Sequence, residues 1–204
     1  MERSDIINHL IKTYSYQSYL EVGYGNGETF HKIELPLENK TGIDHRGPKD
    51  DSYLIRMTAD DYFRLSRQMK NKKYDLIFID ASHLYEDVEN DLTNSLDCLM
   101  EGGTIVMHDC NPPNRYYQER RHNIYVPGWT GDTWKAFVKF RAIREDLEMY
   151  VVDTDFGCGV VRRGKQNTLD INLDKDLSYE IFEKNKTEWL NLITPENFKK
   201  RMSL

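Results

Sequence analysis

The stretch that decides the fold is YLEVGYGNGETF, Tyr19 to Phe30. A short apolar run stops in three glycines spaced two apart, Gly23, Gly25 and Gly27, and an acid, Glu21, stands two residues before the first of them. A strand that empties into a glycine-rich turn marks a ligand site at the carboxyl end of a parallel sheet, where only glycine lets the backbone approach a bound group closely.

The order of elements on either side supports such a sheet. Ile6, Ile7, Leu10 and Ile11 repeat at helical spacing ahead of the first strand. KTGIDH (40–45) and SYLIRM (52–57) read as a second and a third strand, with a helix over 59–70. YDLIFID (74–80) is apolar on both faces, as a central parallel strand is. Val88, Leu92, Leu96 and Leu99 then share one helical face, GGTIVMHD (102–109) is the next strand, and GDTWKAFVKFRAI (131–143) returns to helix. LEMYVVDT and GCGVVRR, joined at Asp155-Phe156-Gly157, predict an antiparallel hairpin. Two short helices are expected near 178–192 and 195–202, the second with Thr194 as N-cap and Pro195 in its first turn. Strands alternating with helices define an α/β, Rossmann-like, doubly wound sheet, here of seven strands closed by an antiparallel hairpin.

Composition narrows the function. The 204 residues suit one domain with a terminal appendage, and 39% hydrophobic with 12% aromatic residues is a globular balance. A net charge of −6 disfavours a general nucleic-acid binder, which needs a basic face against phosphate. No apolar run approaches the roughly 20 residues of a membrane span, and MERSDIINHL is too polar for a signal peptide. Cys98, Cys110 and Cys158 lack metal-finger spacing and fit the reducing cytoplasm.

The glycine spacing identifies the expected ligand. A dinucleotide turn reads G-x-G-x-x-G and sets a pyrophosphate on a helix N-terminus, but Glu28 stands where its third glycine belongs. Glu21 would repel a pyrophosphate and welcome an ammonium or a sulfonium. S-adenosylmethionine carries both cations and no phosphate. Asp44 closes the second strand, where an acid accepts hydrogen bonds from both ribose hydroxyls.

LEVGYGNGETF, GIDHRGP, MTADDYF, YDLIFIDASHLYEDVENDL and EGGTIVMHDCNPP, in that order, resemble the motifs of the class I S-adenosylmethionine-dependent methyltransferases, with closest likeness to a small bacterial O-methyltransferase-like group. The likeness covers roughly 17–163 and implies a strand order of 3-2-1-4-5-7-6. It divides the chain into a methyltransferase domain (1–164) and a C-terminal helical extension (165–204), the latter a lid or a dimer contact. It also implies that Glu21 and Gly23 face the methionine part of the cofactor, Gly25 and Gly27 complete the loop, Asp44 meets the ribose, Asp60 lies beside the adenine, and Asp80 sits at the methyl-transfer end. Asp61 could replace Asp60, and either could simply cap the following helix.

In that order Asp80 and His83 leave one strand while His108 and Asp109 end its neighbour. The sulfonium is already a good leaving group, so the protein needs mainly to align an acceptor and remove its proton. His83 is expected as general base, with helix-capping as its alternative, and Asp109 as its catalytic companion; His108 is open between chemistry and a hydrogen bond within the core. The resemblance extends to metal-dependent O-methyltransferases with one acid after strand four and an Asp-Asn pair after strand five. Here Cys110 separates Asp109 from Asn111. Asp80, Asp109 and Asn111 as oxygen ligands suit Mg²⁺, whereas a histidine ligand favours Mn²⁺, Fe²⁺ or Zn²⁺.

Arg115, Tyr116, Tyr117, Arg120, Arg121, Tyr125 and Trp129 form a segment that either covers a small-molecule acceptor (a sugar, an aromatic, or a phosphorylated or carboxylated compound) or is a solvated loop. Trp134 is expected in the core. The leading expectation is O-methylation of a small molecule. Its alternatives are a non-catalytic subunit that binds the cofactor or its product, and a nicotinamide-dependent oxidoreductase, which conflicts with Glu21 and the glycine spacing.

Overall fold

The computed structural model describes residues 1–68, 72–121 and 126–201. The strands β1 (Tyr19–Val22), β2 (Lys40–Ile43), β3 (Leu54–Ile55), β4 (Tyr74–Ile79), β5 (Leu99–Met107), β6 (Leu147–Val152) and β7 (Cys158–Arg163) form one sheet, ordered β3-β2-β1-β4-β5-β7-β6. β1 to β5 run parallel, and β7 is antiparallel to both β5 and β6. The order is the one the family likeness implies.

Alternation along the strands builds two cores. Ile77 and Ile79 of β4, with Leu20 and Val22 of β1 and Ile105 and Met107 of β5, face one side. Helices α3 (Ala59–Gln68), α4 (Tyr85–Cys98), α5 (Thr133–Ile143) and α6 (Tyr179–Trp189) contribute Phe63, Leu92, Phe137 and Phe182 to that layer. Leu76 and Phe78 face the other side, against Ile6, Ile7, Leu10 and Ile11 of α1 (Arg3–Tyr14), Phe30 of α2 (Glu28–Lys32) and Phe198 of α7 (Pro195–Arg201). Period-two burial on both faces is what a central strand between two helical layers requires.

Two boundaries move from the sequence reading. The third strand shrinks from 52–57 to the two residues Leu54 and Ile55, because only they pair with Gly42 and Ile43 of β2. Leu99 opens β5 instead of continuing the face of α4, although it stays buried. The end of the predicted helix at 69–70 lies outside the described residues. The hairpin turn is as read, and Asp155, Phe156 and Gly157 all adopt left-handed backbone. Trp134 is fully buried and stacks on Phe182 at 4.1 Å between ring centres, which ties α6 to α5.

The C-terminal segment also closes an edge. Ile193 donates its amide to the Val151 carbonyl at 2.9 Å and accepts from the Asp153 amide at 2.8 Å, running beside the outer strand β6. An outer strand left unpaired would present a row of open backbone groups to other chains.

Candidate active site

The parallel ladder extends one residue beyond the strand ends, and this fixes the floor of the site. The Asp80 amide donates to the Val22 carbonyl at 2.8 Å, and the His108 amide to the Ile79 carbonyl at 3.0 Å. Asp80 and His108 therefore leave adjacent strands at the same level. Asp109 then turns into left-handed backbone (φ 62°), a conformation aspartate tolerates better than most residues. Gly23 and Tyr24 both donate to the Ile43 carbonyl, which draws the glycine loop over the end of β2.

The three glycines have different physical reasons. A Cβ on Gly23 (φ +96°) would lie 2.2 Å from the Asp80 carbonyl oxygen, so this glycine is required by contact between β1 and β4. The backbone of Asp80 fills the space beside its Cα, while Gly23 itself lines the cleft. A Cβ on Gly27 would strike the Tyr24 hydroxyl at 2.6 Å. Gly25 alone is left-handed (φ +55°) with nothing within 4 Å, and it faces open space.

That space is a cleft of about 980 Å³, lined by Gly25, Asp44, Asp60, Ser82, Asp91 and Trp129 among others. The Asp44 carboxylate accepts from the Gly25 amide at 2.9 Å and the Arg46 amide at 2.7 Å, which holds it at the mouth of the loop. Asp60 lines the cleft, while Asp61 forms the cap of α3: its amide bonds the Thr58 hydroxyl at 3.2 Å, and that hydroxyl donates to its carboxylate at 3.0 Å. The ambiguity between the two acids is thus resolved by their hydrogen bonds. Asp91 of α4 was not anticipated. It is 4% exposed, makes no hydrogen bond among the described residues, and lines the same cleft. Burial, with Asp60 and Asp87 adding repulsion, pushes its carboxyl up to about 7. A polar face of a helix reads as solvated in a sequence, so nothing marked Asp91.

A second chamber of about 350 Å³ shares Gly23, Gly25, His83, Gly128 and Trp129 with the first and continues to Arg3, Glu21, Asp80, His108, Asp109 and Phe156. Glu21 is 1% exposed and accepts the Tyr19 hydroxyl at 2.5 Å. Burial raises its carboxyl to about 8 even though the Tyr19 bond and Arg3 favour the anion. In the protein by itself Glu21 therefore holds a proton at pH 7, contrary to the fixed carboxylate assumed from sequence.

The centre of this chamber is an acid–histidine cluster. His108 Nδ1 lies 3.3 Å from Asp80 and 3.2 Å from Asp109, and its Nε2 lies 3.4 Å from Asp155. Burial opposes charging His108, but the surrounding carboxylates outweigh it and raise its pKa well above the ordinary value, while Arg3 Nη1 lies 3.1 Å from its Nε2. The reverse holds for Asp80: burial favours its neutral form, yet His108, His83 and Arg3 bring its pKa below the ordinary value. For Asp109 burial prevails, with Asp80 adding to it, and its pKa rises. His108 thus stands between the two acids, within reach of both.

His83 faces both acids, with Nδ1 3.1 Å from Asp109 and Nε2 3.6 Å from Asp80. Its Nδ1 also lies 3.0 Å from the Trp129 carbonyl, which can only accept, so Nδ1 carries a proton and Nε2 is the atom left to exchange one. The ring stacks on Trp129 at 5.1 Å and 6°. Asp80, His83 and Asp109 each offer a ligand atom within 4.8 Å of the others. Asn111 commits its amide nitrogen to Asp153 at 3.0 Å. Asn111 Oδ1, the atom expected as a ligand, is buried and accepts no hydrogen bond among the described residues.

The 110–130 segment divides in the structure. Trp129 and Arg120 line the cleft, and Arg120 is anchored by Glu86 at 2.7 Å and by buried Asp132 at 3.0 Å. Asp132 also accepts the Tyr85 amide at the start of α4, a link the sequence did not reveal. Tyr117 stacks on Phe156, while Tyr116 is exposed and Arg115 reaches Glu180 at 3.8 Å. Arg121 is exposed; Tyr125 lies outside the described residues.

Two residues central to this site carried no signal in the sequence. Arg3, in the first turn of α1, donates from Nη1 to both oxygens of Asp155 at 3.0 Å and stands 3.9 Å from Asp80. Asp155, read only as a turn residue, is kept well below the ordinary carboxylate range: burial opposes this, but His108 and Arg3 outweigh it. Their separation of 152 residues left no local pattern to find.

These features define a class of protein. Residues 20–110 match the family model described as a methyltransferase domain, which runs from β1 to just past β5. That segment holds the parallel strands of the Rossmann-like seven-stranded sheet. The O-methyltransferase TomG from Streptomyces achromogenes, involved in tomaymycin synthesis and solved with S-adenosylmethionine, is similar at TM-score 0.59 and 15% identity, covering 79% of each chain. An O-methyltransferase from Bacillus cereus, solved with S-adenosylhomocysteine, is similar at TM-score 0.56 and 13% identity, covering 78% of each. A methyltransferase from Podospora anserina with S-adenosylhomocysteine bound gives TM-score 0.55 and 16% identity, covering 80% of this chain and 78% of that one. No curated protein matches the sequence significantly. No helix among the described residues is long and apolar enough to cross a membrane.

Proposed function

We propose that the protein transfers a methyl group from S-adenosylmethionine to a hydroxyl of a small molecule. The observation that carries this reading is the continuity of the two chambers. Gly25 and Asp44 open a cleft of about 980 Å³, roomy enough for an adenosine, and it leads past Glu21 to His83, Asp80 and Asp109. The residues fit the donor: Gly25 leaves its left-handed turn uncovered, and Asp91 is a buried, unpartnered carboxyl lining the cleft. Asp44 would take the ribose hydroxyls, Asp60 and Asp91 would face the base, and Glu21 would face the amino-acid end.

On the acceptor side, His83 Nε2 would remove the hydroxyl proton. Asp109 and the Trp129 carbonyl hold the ring through Nδ1, which fixes the direction of Nε2. Trp129 and Phe156 line this chamber. Asp80, His83 and Asp109 would also be the residues to hold a divalent cation, which would lower the pKa of a bound hydroxyl. A mixed nitrogen and oxygen donor set favours Mn²⁺, Fe²⁺ or Zn²⁺ over Mg²⁺.

Calorimetry with S-adenosylhomocysteine and NAD tests the donor, followed by transfer of labelled methyl to a panel of hydroxylated small molecules with and without EDTA. Micromolar-scale binding of S-adenosylhomocysteine and none of NAD is expected. Binding of NAD without S-adenosylhomocysteine overturns the reading. Loss of transfer in EDTA, restored by metal, assigns the triad to a cation; full transfer in EDTA assigns His83 to proton removal alone.

A further inference from the structure

Arg3 reaches the second chamber from outside the segment that matches the family model. Its helix cannot shift easily, because Ile6, Ile7 and Leu10 are fully buried against the sheet. Its guanidinium is held by three residues: Nη1 donates to both Asp155 oxygens at 3.0 Å and lies 3.1 Å from His108 Nε2, and Nε donates to the Thr29 hydroxyl at 3.1 Å. The Arg3 amide also donates to Asp155, at 2.8 Å. Nη2 forms no hydrogen bond among the described residues, and neither does the Thr29 hydroxyl proton. Arg3 and Thr29 line the chamber together with Glu21 and Gly25.

We propose that Arg3, assisted by Thr29, binds the carboxylate of the methyl donor's amino-acid end. This rests on the reading of the cleft as an S-adenosylmethionine site. An amino-acid group is a zwitterion, and the chamber offers an acid (Glu21) and a guanidinium whose Nη2 makes no hydrogen bond among the described residues. Asp155 supplies rigidity: by engaging one edge of the planar fork it pre-orients the other, which lowers the ordering cost when a carboxylate arrives. A carboxylate and guanidinium in a half-buried chamber form a charge-assisted bond, stronger than a neutral one. The N-terminal helix thereby becomes a wall of the donor site.

The test uses the full chain, S-adenosylhomocysteine and its decarboxylated analogue, which differ only in that carboxylate. By calorimetry the unaltered protein should prefer S-adenosylhomocysteine by about tenfold or more, the usual scale for a hydrogen bond to a charged group. Arg3→Met should erase the preference while leaving affinity for the decarboxylated analogue within about twofold, which also shows that the variant is folded. Equal weakening of both ligands makes Arg3 a structural residue and overturns the proposal, as does an unchanged preference. Arg3→Lys keeps a charge for Asp155 but loses the second edge of the fork. It should retain folding and lose at least about threefold of the preference, and full retention counts against the proposal. If the unaltered protein binds neither ligand, the donor-site reading itself fails.

Discussion

Replacing Glu21 by glutamine tests the electrostatics of the site without any substrate. Glu21 is buried beneath the glycine loop with the Tyr19 hydroxyl as its bonded partner, and its carboxyl titrates near 8 in the folded chain. In the unfolded chain an ordinary glutamic acid titrates at roughly 4.3. Between these values the folded state holds a proton that the unfolded state has released, so stability falls as pH rises. The slope approaches about 1.4 kcal/mol per pH unit, which integrates to about 3–4 kcal/mol between pH 5 and pH 8. The Glu21→Gln amide oxygen can still accept from Tyr19 but cannot ionise. Urea unfolding at both pH values should therefore find the variant near the unaltered protein at pH 5 and more stable by about 3 kcal/mol at pH 8. Parallel pH profiles would refute the reasoning. The same proton has a second consequence. An ammonium group arriving beside Glu21 favours its anion, so donor binding at pH 7 should release a proton, visible as a buffer-dependent enthalpy. Glu21→Gln should abolish that dependence.

Three further outcomes follow from the geometry. Asp44→Ala should weaken S-adenosylhomocysteine binding by about 1.5–3 kcal/mol in calorimetry, the cost of losing hydrogen bonds to a charged acceptor; unchanged affinity would move the ribose contact elsewhere. Gly23→Ala puts a methyl group 2.2 Å from the Asp80 carbonyl and should prevent stable folding, whereas Gly25→Ala meets nothing and should cost only about 1–2 kcal/mol of left-handed strain in urea unfolding. Equal costs at the two positions would contradict the separate roles assigned to them. Phe182→Ala should cost about 3–5 kcal/mol, because its buried ring stacks on Trp134; a negligible effect would make the C-terminal helix a detachable appendage.

Residues that end strands were legible because parallel topology converts a sequence position into a place. Once YLEV and YDLIFI are strands, Gly25, Asp44 and Asp80 must converge at one sheet edge, and they do. The hairpin was equally legible, since two β-rich runs around an Asp-Phe-Gly turn have few alternatives. The length of β3 was not. Tyr53 and Arg56 have strand-like surroundings in sequence, but pairing is decided by β2, which offers only Gly42 and Ile43. Long-range partners were the least legible. Arg3 and Asp155 look like a helix start and a turn, and their ion pair exists only because α1 and the β6–β7 turn meet above β1 and β5. His108 could be read either way, because its role depends on carboxylates from three separate segments.

This division places the two tasks of the site on different parts of the chain. The segment that matches the methyltransferase family model, 20–110, contains Gly25, Asp44, Asp60, Asp80, His83, Asp91 and Asp109, all at strand ends or on α3 and α4. Strands paired on both sides hold such residues rigidly, which suits a ligand that never changes. The walls toward the acceptor come from elsewhere: Trp129 from the segment after β5 and Phe156 from the hairpin turn. These are joined to the strand ends by side-chain contacts that can be exchanged singly. Trp129 touches the centre through its stack on His83 and one carbonyl bond. A different residue at 129 or 156 would reshape the acceptor chamber and leave the glycine loop, Asp44 and the ladder beneath Asp80 in place. In the proposed reading acceptor choice is carried by loops, and donor binding chiefly by the sheet, with Arg3 added from the first helix.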